Sequence, residues 1–298
     1  MKTVLITGAG PTGVTGRAIK EYLQDYYEIL SPSSRELDLT NDKAVKCYFD
    51  NHSIDFVVHC ATYRNNGNNT THMVDEELES NLRMYFSLAA QEDKFRKMVY
   101  LGSGAEFDKT RPIINIKEEQ FGLHIPQNKY GLGKYIMNQH CRNSKNIYNL
   151  RMFGTLNKYE RYTKNVVCNL CAKAIMGLPL TLKQDVLFSW IDIQDVAKAI
   201  IYLFENTSKR HDYNIAFPNA YKLSEIASMI QNTSYHNCGP LCFEKEGMNK
   251  EYTCDTTNWV KEGFNDFIPI TKSIESIYEY LFSIKEEINI ELIDQRWN

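Results

Sequence analysis

Tyr130 and Lys134 stand four residues apart in the stretch NKYGLGKYIMNQH, residues 128–140. On a helix that spacing places both side chains on one face. A cation held near a phenol favours its ionised form and lowers its pKa, so the pair could give and take a proton at neutral pH. Two surface residues on an ordinary helix would show the same spacing, so the rest of the chain has to decide. A second group of residues points to anion chemistry. In TGAGPTGVTGRAI, Gly8, Gly10, Gly13 and Gly16 follow the first apolar run and open a helical pattern. Glycine lets a backbone approach a pyrophosphate closely, and a helix N-terminus offers unpaired N–H groups. Placed directly after an N-terminal strand, such a turn reads as a dinucleotide site.

In dinucleotide folds an acid after the second strand bonds the adenosine ribose. Here that strand runs into SPSSREL, so Ser33, Ser34 and Arg35 come before any acid. Hydroxyls and a guanidinium suit a 2′-phosphate, because Arg pairs with phosphate oxygens in a fork. The expected cofactor is therefore NADP, with NAD as the alternative.

The elements that must position these residues alternate. KTVLIT, YYEILSPSS, DFVVHCA, KMVYLGSG and NIYNLRMFG read as short apolar strands. Helical patterns lie between them: residues 16–25, NDKAVKCYFDNH opened by Asn41, ELESNLRMYFSLAAQE and YGLGKYIMNQHCR. That alternation predicts an α/β fold, a Rossmann-type doubly wound parallel sheet covered on both faces. Beyond about residue 155 the pieces become smaller and irregularly spaced. The expected division is a dinucleotide-binding domain over 1–155, with a returning segment at about 186–206. A smaller α/β substrate-binding domain would take 156–185 and 207–298.

The chain has 298 residues, 43% of them hydrophobic, enough for a sizeable core. Its formal net charge of −3 arises without blocks of like charge, which argues against a nucleic-acid surface. No apolar run reaches the roughly 18 residues of a membrane helix, and the N-terminal run leads into a glycine turn rather than a cleavage site. A cytoplasmic location without membrane partners is expected. The dispersed cysteines then read as reduced thiols. Cys168 and Cys171 form a C-x-x-C pair and Cys238 and Cys242 a C-x-x-x-C pair, a possible zinc set. However, the first pair falls in the apolar helical pattern VVCNLCAKAIMGL, where cysteine serves as a small buried hydrophobe. No metal is expected.

With these motifs in view, the chain resembles the extended short-chain dehydrogenase/reductase family over nearly its whole length. The nucleotide-sugar epimerases, dehydratases and 4-ketosugar reductases are the most similar branch. The resemblance rests on the glycine turn, Asp38-Leu39 in ELDLTN, His59 and Ala61 in VVHCAT, Asn81 in ESNLRMYFSL, Ser103 in YLGSGAEF, Tyr130 with Lys134, LRMFG and DIQDVAKAI. It implies that Gly8, Gly10, Gly13, Gly16, Asp38, Leu39, Ala61, Asn81 and Lys134 face the cofactor. It also implies that Ser103, Tyr130 and Lys134 are catalytic: Ser103 fixes a sugar oxygen and Tyr130 protonates it. Lys134 would hold the cofactor ribose and make Tyr130 more acidic.

Departures from the family pattern narrow the chemistry. The glycine loop is two residues longer than T-G-x-x-G-x-x-G. Gly104 and Ala105 follow Ser103 where dehydratases carry Asp-Glu, and Glu106 would point to the other face of an extended segment. SSRELDLT resembles GDP-fucose synthases, but their Cys and His for 3,5-epimerisation fall at Ala105 and Asn165. Asn165 then either contacts the substrate diphosphate or caps the following helix. The family's phosphate-gripping Arg falls near Phe188 and Ser189, leaving Arg161 or Lys164 as substitutes. The expected function is NADP-dependent reduction of the 4-keto group of a nucleotide-linked sugar. A 4-epimerase with tightly held NAD is the alternative, and a catalytically silent cofactor-binding regulator is the second. A homodimer through the helices at ELESNLRMYFSLAAQ and YGLGKYIMNQHCR is also expected.

Overall fold

The computed structural model describes residues 1–63, 73–234 and 238–293. Its first strand, β1 (Thr3–Thr7), leads through the glycine turn into helix α1 (Thr15–Leu23). There follow β2 (Glu28–Leu30), α2 (Asp42–Asn51), β3 (Phe56–His59), α3 (Met73–Ala89) and β4 (Lys97–Ser103). Helix α4 (Lys129–Cys141) and the strand Ile147–Met152 complete the alternation. The six-stranded sheet has the order Asp212–Ile215, Ile147–Met152, β4, β3, β1, β2, and every pairing in it is parallel. The register is direct, with Val4 opposite Phe56 and Val58 opposite Val99.

Successive strand side chains point to opposite faces, and the sheet therefore carries two cores. Val4, Ile6, Phe56, Val58 and Val99 pack with Ile19 and Leu23 of α1 and Val196 and Ile200 of α6 (Ile193–Glu205). Leu5, Val57 and Met98 pack on the other face with Val45, Tyr85 and Met137 of α2, α3 and α4. Each such side chain contributes roughly 1.5–3 kcal/mol on full burial.

The smaller half has its own core, formed by α5 (Val166–Ile175), α7 (Leu223–Thr233) and α9 (Ile270–Ser283) around short strands. Cys168 and Cys171 are buried in it on α5, which fits the reading of small hydrophobes. Among the described residues no group of His, Cys, Asp and Glu is placed to hold a metal. No described helix is long and apolar enough to cross a membrane.

Three features differ from the sequence expectation. Asp212–Ile215, placed beyond residue 207 with the smaller unit, pairs with Ile147–Met152 and forms the edge of the main sheet. The segment after Ser103 is not extended; Gly104–Glu106 is a turn of 3-10 helix. Short strands at Ile113–Ile116, Leu241–Phe243 and Tyr252–Cys254 were not anticipated. In the tail, Ile288 and Ile293 are buried, and residues 294–298 lie outside the described residues.

Candidate active site

Strand order reverses between β1 and β3, since β2 lies on one side of β1 and the later strands on the other. A crevice opens at the carboxyl ends of strands at such a point, and ligands bind there. The glycine turn lies at this place. Gly8 has φ +68, and a Cβ on it would meet the Ala61 backbone at 2.7 Å. Cβ atoms on Gly13 and Gly16 would strike the Gly8 carbonyl oxygen at 2.1 and 2.5 Å. Three of the four glycines are therefore required by the folding of the turn itself. Gly10 differs, with nothing within 4 Å of its Cβ position. The N-cap of α1, Val14, provides no side-chain hydrogen bond, which leaves the helix N–H groups open to a ligand. Open space over Gly10 beside an uncapped N-terminus fits a pyrophosphate.

The turn is locked to β3 by Thr7. Its Oγ1 accepts the Cys60 and Ala61 N–H groups at 3.1 Å each. With both lone pairs engaged, its hydroxyl proton goes to Nδ1 of His59, 2.9 Å away. His59 is thus held as the neutral ring, and burial, aided by the Lys134 charge, lowers its pKa to about 3.

The residues expected at the adenosine end are mixed. Ser33, Ser34 and Arg35 are exposed after β2, where a 2′-phosphate could reach them. Glu36 accepts the Ser33 N–H at 2.7 Å, so a carboxylate shares that loop. Asp38 closes a turn by accepting from the N–H and hydroxyl of Thr40, and Leu39 is buried in the core. Asn81 on α3 accepts the Tyr63 N–H at 2.9 Å and donates to the carbonyls of Tyr63 and Glu77. Its amide therefore pins the segment after β3 to α3.

Ser103 ends β4, and Tyr130 and Lys134 lie on α4, whose N-cap Asn128 accepts the Gly131 N–H at 2.7 Å. The two elements touch because residue 131 is glycine: a Cβ there would come within 2.5 Å of the Ala105 carbonyl oxygen. Lys134 is buried, donates to the Leu101 carbonyl at 2.9 Å, and has its Nζ 5.9 Å from the Tyr130 ring centroid. Tyr130 is 37% exposed and so open to a ligand. Helix α4 thus sets Tyr130 and Lys134 against the turn that follows Ser103.

Beneath it lies a network absent from the sequence expectation. Glu106 is fully buried and accepts the Ser103 N–H at 3.1 Å, while Ser103 Oγ accepts the Ala105 N–H at 3.2 Å. Glu106 also accepts from Arg151 Nε at 2.7 Å and from Asn149. Arg151 in turn donates to Asp212 and Asn214, each at 2.9 Å. Burial raises the Glu106 pKa against Arg151 and Asn149. Burial also opposes the Arg151 charge, but Glu106 and Asp212 more than offset it and its pKa rises. The expectation for Glu106 assumed an extended segment; the 3-10 turn instead places its carboxylate in this buried network. An arginine inside the apolar run NIYNLRMFG was the available signal, since such a charge needs buried partners.

Two further residues at the site were missed. Tyr252 is buried and comes from a distant strand. Its hydroxyl would lie 2.5 Å from a Cβ on Gly104, beside Ser103. Burial pushes its pKa up and Ser103 pulls it back. Lys109 Nζ lies 4.4 Å from the Tyr252 ring centroid. Of the expected substrate residues, Asn165 is an N-cap of α5, its Oδ1 accepting the N–H groups of Val167 and Cys168. Arg161 and Lys164 are exposed. Ser189 is buried with its hydroxyl accepting the Cys254 N–H at 3.1 Å, and Phe188 packs on Tyr252.

Known proteins share this architecture. GDP-L-colitose synthase of Yersinia pseudotuberculosis is 23% identical over 315 residues, 95% of this chain and 98% of that protein. A GDP-mannoheptose C4 reductase from Campylobacter jejuni, solved with NADP bound, superposes with a TM-score of 0.78 at 20% identity, covering 94% of this chain and 98% of that one. A dTDP-4-dehydrorhamnose reductase from Bacillus anthracis str. Ames, in complex with NADP, superposes at 0.74 with 22% identity, covering 94% and 98%. The model of the NAD dependent epimerase/dehydratase family matches residues 4–216, most of the chain, and the protein belongs to that family.

Proposed function

We propose that the protein is an NADP-dependent reductase of the 4-keto group of a nucleotide-linked sugar. What supports this reading is the approach of α4, which carries Tyr130 and Lys134, to the turn that follows Ser103, together with a glycine turn at the sheet's switch point that leaves open space over Gly10. The names of two similar structures support it, a GDP-mannoheptose C4 reductase and a dTDP-4-dehydrorhamnose reductase, each solved with NADP.

Gly10 and the α1 N-terminus would hold the pyrophosphate, Ser33, Ser34 and Arg35 the 2′-phosphate, and Lys134 the ribose. The cofactor supplies hydride when bound. Ser103 offers its hydroxyl to the sugar oxygen and holds it near Tyr130. The Tyr130 hydroxyl delivers the proton as a general acid. Lys134, anchored on the Leu101 carbonyl, keeps a positive charge beside the phenol as the proton leaves. No acid–base pair flanks Ser103 on its open side, because Gly104 and Ala105 stand there, which disfavours dehydration. A second copy docking on α3 and α4, where Phe86 is exposed against His140, belongs to the same reading.

The test is to incubate the purified protein with NADPH and a panel of nucleotide-linked 4-ketosugars. Oxidation of NADPH by one of them is expected, at least 100-fold slower in Tyr130→Phe. Sugar isomerisation without added cofactor would replace the reductase by the epimerase. Unchanged turnover in Tyr130→Phe would remove the proposed mechanism.

A further inference from the structure

A nucleotide-linked sugar brings a diphosphate to the same pocket as its reacting ring. Buried or half-buried anions need a cation. Lys134 is engaged by the Leu101 carbonyl and the Tyr100 ring. Phe188 and Ser189 offer no charge, and Arg161, Lys164 and Lys109 are all exposed residues outside the helices and strands. Lys109 differs in its place. It lies six residues beyond Ser103, and its ammonium is 4.4 Å from the Tyr252 ring centroid. That ring is fixed by Phe153 and Phe188, with centroids 5.0 and 5.1 Å away, and its hydroxyl end lies at Gly104 beside Ser103.

Lys109 has no carboxylate within ion-pair distance among the described residues. Its chain neighbour Asp108 accepts from Thr110 and pairs with Arg111 at 3.9 Å instead. As a residue Lys109 is exposed, so a ligand can reach it. Its ammonium is nevertheless desolvated enough to fall below the usual lysine range, an effect that Tyr130 partly offsets. A cation seated on an aromatic face beside the proton donor, with no acid to balance it, is arranged to meet an anion.

We infer that Lys109, carried by the Tyr252 ring, is the residue that grips the diphosphate of the substrate. This rests on the nucleotide-sugar reading above. It adds a specificity the motif residues do not supply: Lys109 would distinguish a sugar carrying a diphosphate from the free sugar, while Ser103 and Tyr130 see only the carbonyl.

The experiment is calorimetric titration of the NADP-saturated protein with GDP, UDP and dTDP. At least one is expected to bind the parent, with an affinity that falls as salt rises. Lys109→Met and Lys109→Gln should each weaken it about tenfold or more, the scale of a charge-assisted hydrogen bond, while Lys109→Arg retains most of it. NADP affinity should not change in any variant, which also reports that each is folded. Parent-like affinity in Lys109→Met overturns the assignment and leaves the reductase reading standing. Failure of the parent to bind any of the three overturns both.

Discussion

Tyr130 and Lys134 were legible because helix spacing is a local rule: four residues apart means one face. Ser103 was legible through its strand end and the resemblance it supports. His59 was legible as a strand end and a mark of the resemblance; what the structure adds is its state. Thr7 gives its hydroxyl proton to Nδ1, and burial keeps the ring neutral with a pKa of about 3. The unfolded ring has a pKa of about 6.5. Between those values the unfolded chain binds a proton that the folded one refuses, so stability from this residue is present above pH 6.5 and is lost as pH falls. From pH 7 to pH 5 the loss is roughly 2 kcal/mol. Urea unfolding of the parent and of His59→Gln at both pH values checks it: the parent should lose that much more than the variant. Equal slopes would mean that His59 is not held neutral.

At the scale of elements, helix starts were readable where asparagine caps them, at Asn41 and Asn165. For Asn165 the cap is what the structure shows; the diphosphate contact was the other possibility. The strand Tyr252–Cys254 escaped, because it exists through partners at Ile113–Ile116 and Phe188, far away in the chain. Tyr252 was therefore invisible as a site residue. The approach of α4 to the end of β4 depends on Gly131, which the sequence presents as a plain helix residue. In an ordinary helix interior Gly→Ala gains about 1 kcal/mol. Here the added Cβ would lie 2.5 Å from the Ala105 carbonyl oxygen and 2.9 Å from Pro126. Neither is the end of a flexible side chain, so the first turn of α4 must move and carry Tyr130 from Ser103. Gly131→Ala should cut kcat at least tenfold with NADPH affinity nearly intact, since small misplacements of reacting groups are costly. Steady-state kinetics and cofactor titration decide it, and a parent-like kcat would refute the contact.

Across the whole molecule, one buried charge ties the end of β4 to the far side of the fold. Arg151 is 0% exposed and bonds Glu106, Asp212 and Asn214. Asn214 donates to the carbonyls of Ile116 and Asp255, and its N–H reaches Glu118, which Asn258 of α8 (Thr257–Lys261) also holds. The main sheet and the segment after Tyr252 therefore share one polar network, and a rule of local patterning could not show that. Removing Arg151 leaves Glu106, at 0% side-chain exposure, without a cation, and takes from Asp212, at 3%, a partner at 2.9 Å, leaving it Arg142 at 3.7 Å and Arg210 at 3.9 Å. Breaking a buried pair in that way costs about 3–5 kcal/mol, whereas removing every charge together is often nearly neutral. Arg151→Met should thus lower the urea midpoint sharply. Adding Glu106→Gln and Asp212→Asn to it should restore much of the loss, because the three sites are coupled. Glu106 also holds the Ser103 N–H, so the triple variant should recover stability more fully than turnover. Unfolding followed by tryptophan fluorescence, with Trp259 buried on α8, reads the first effect, and NADPH oxidation reads the second. If the triple variant were no more stable than Arg151→Met, the cost would lie in lost packing of the guanidinium rather than in stranded charge.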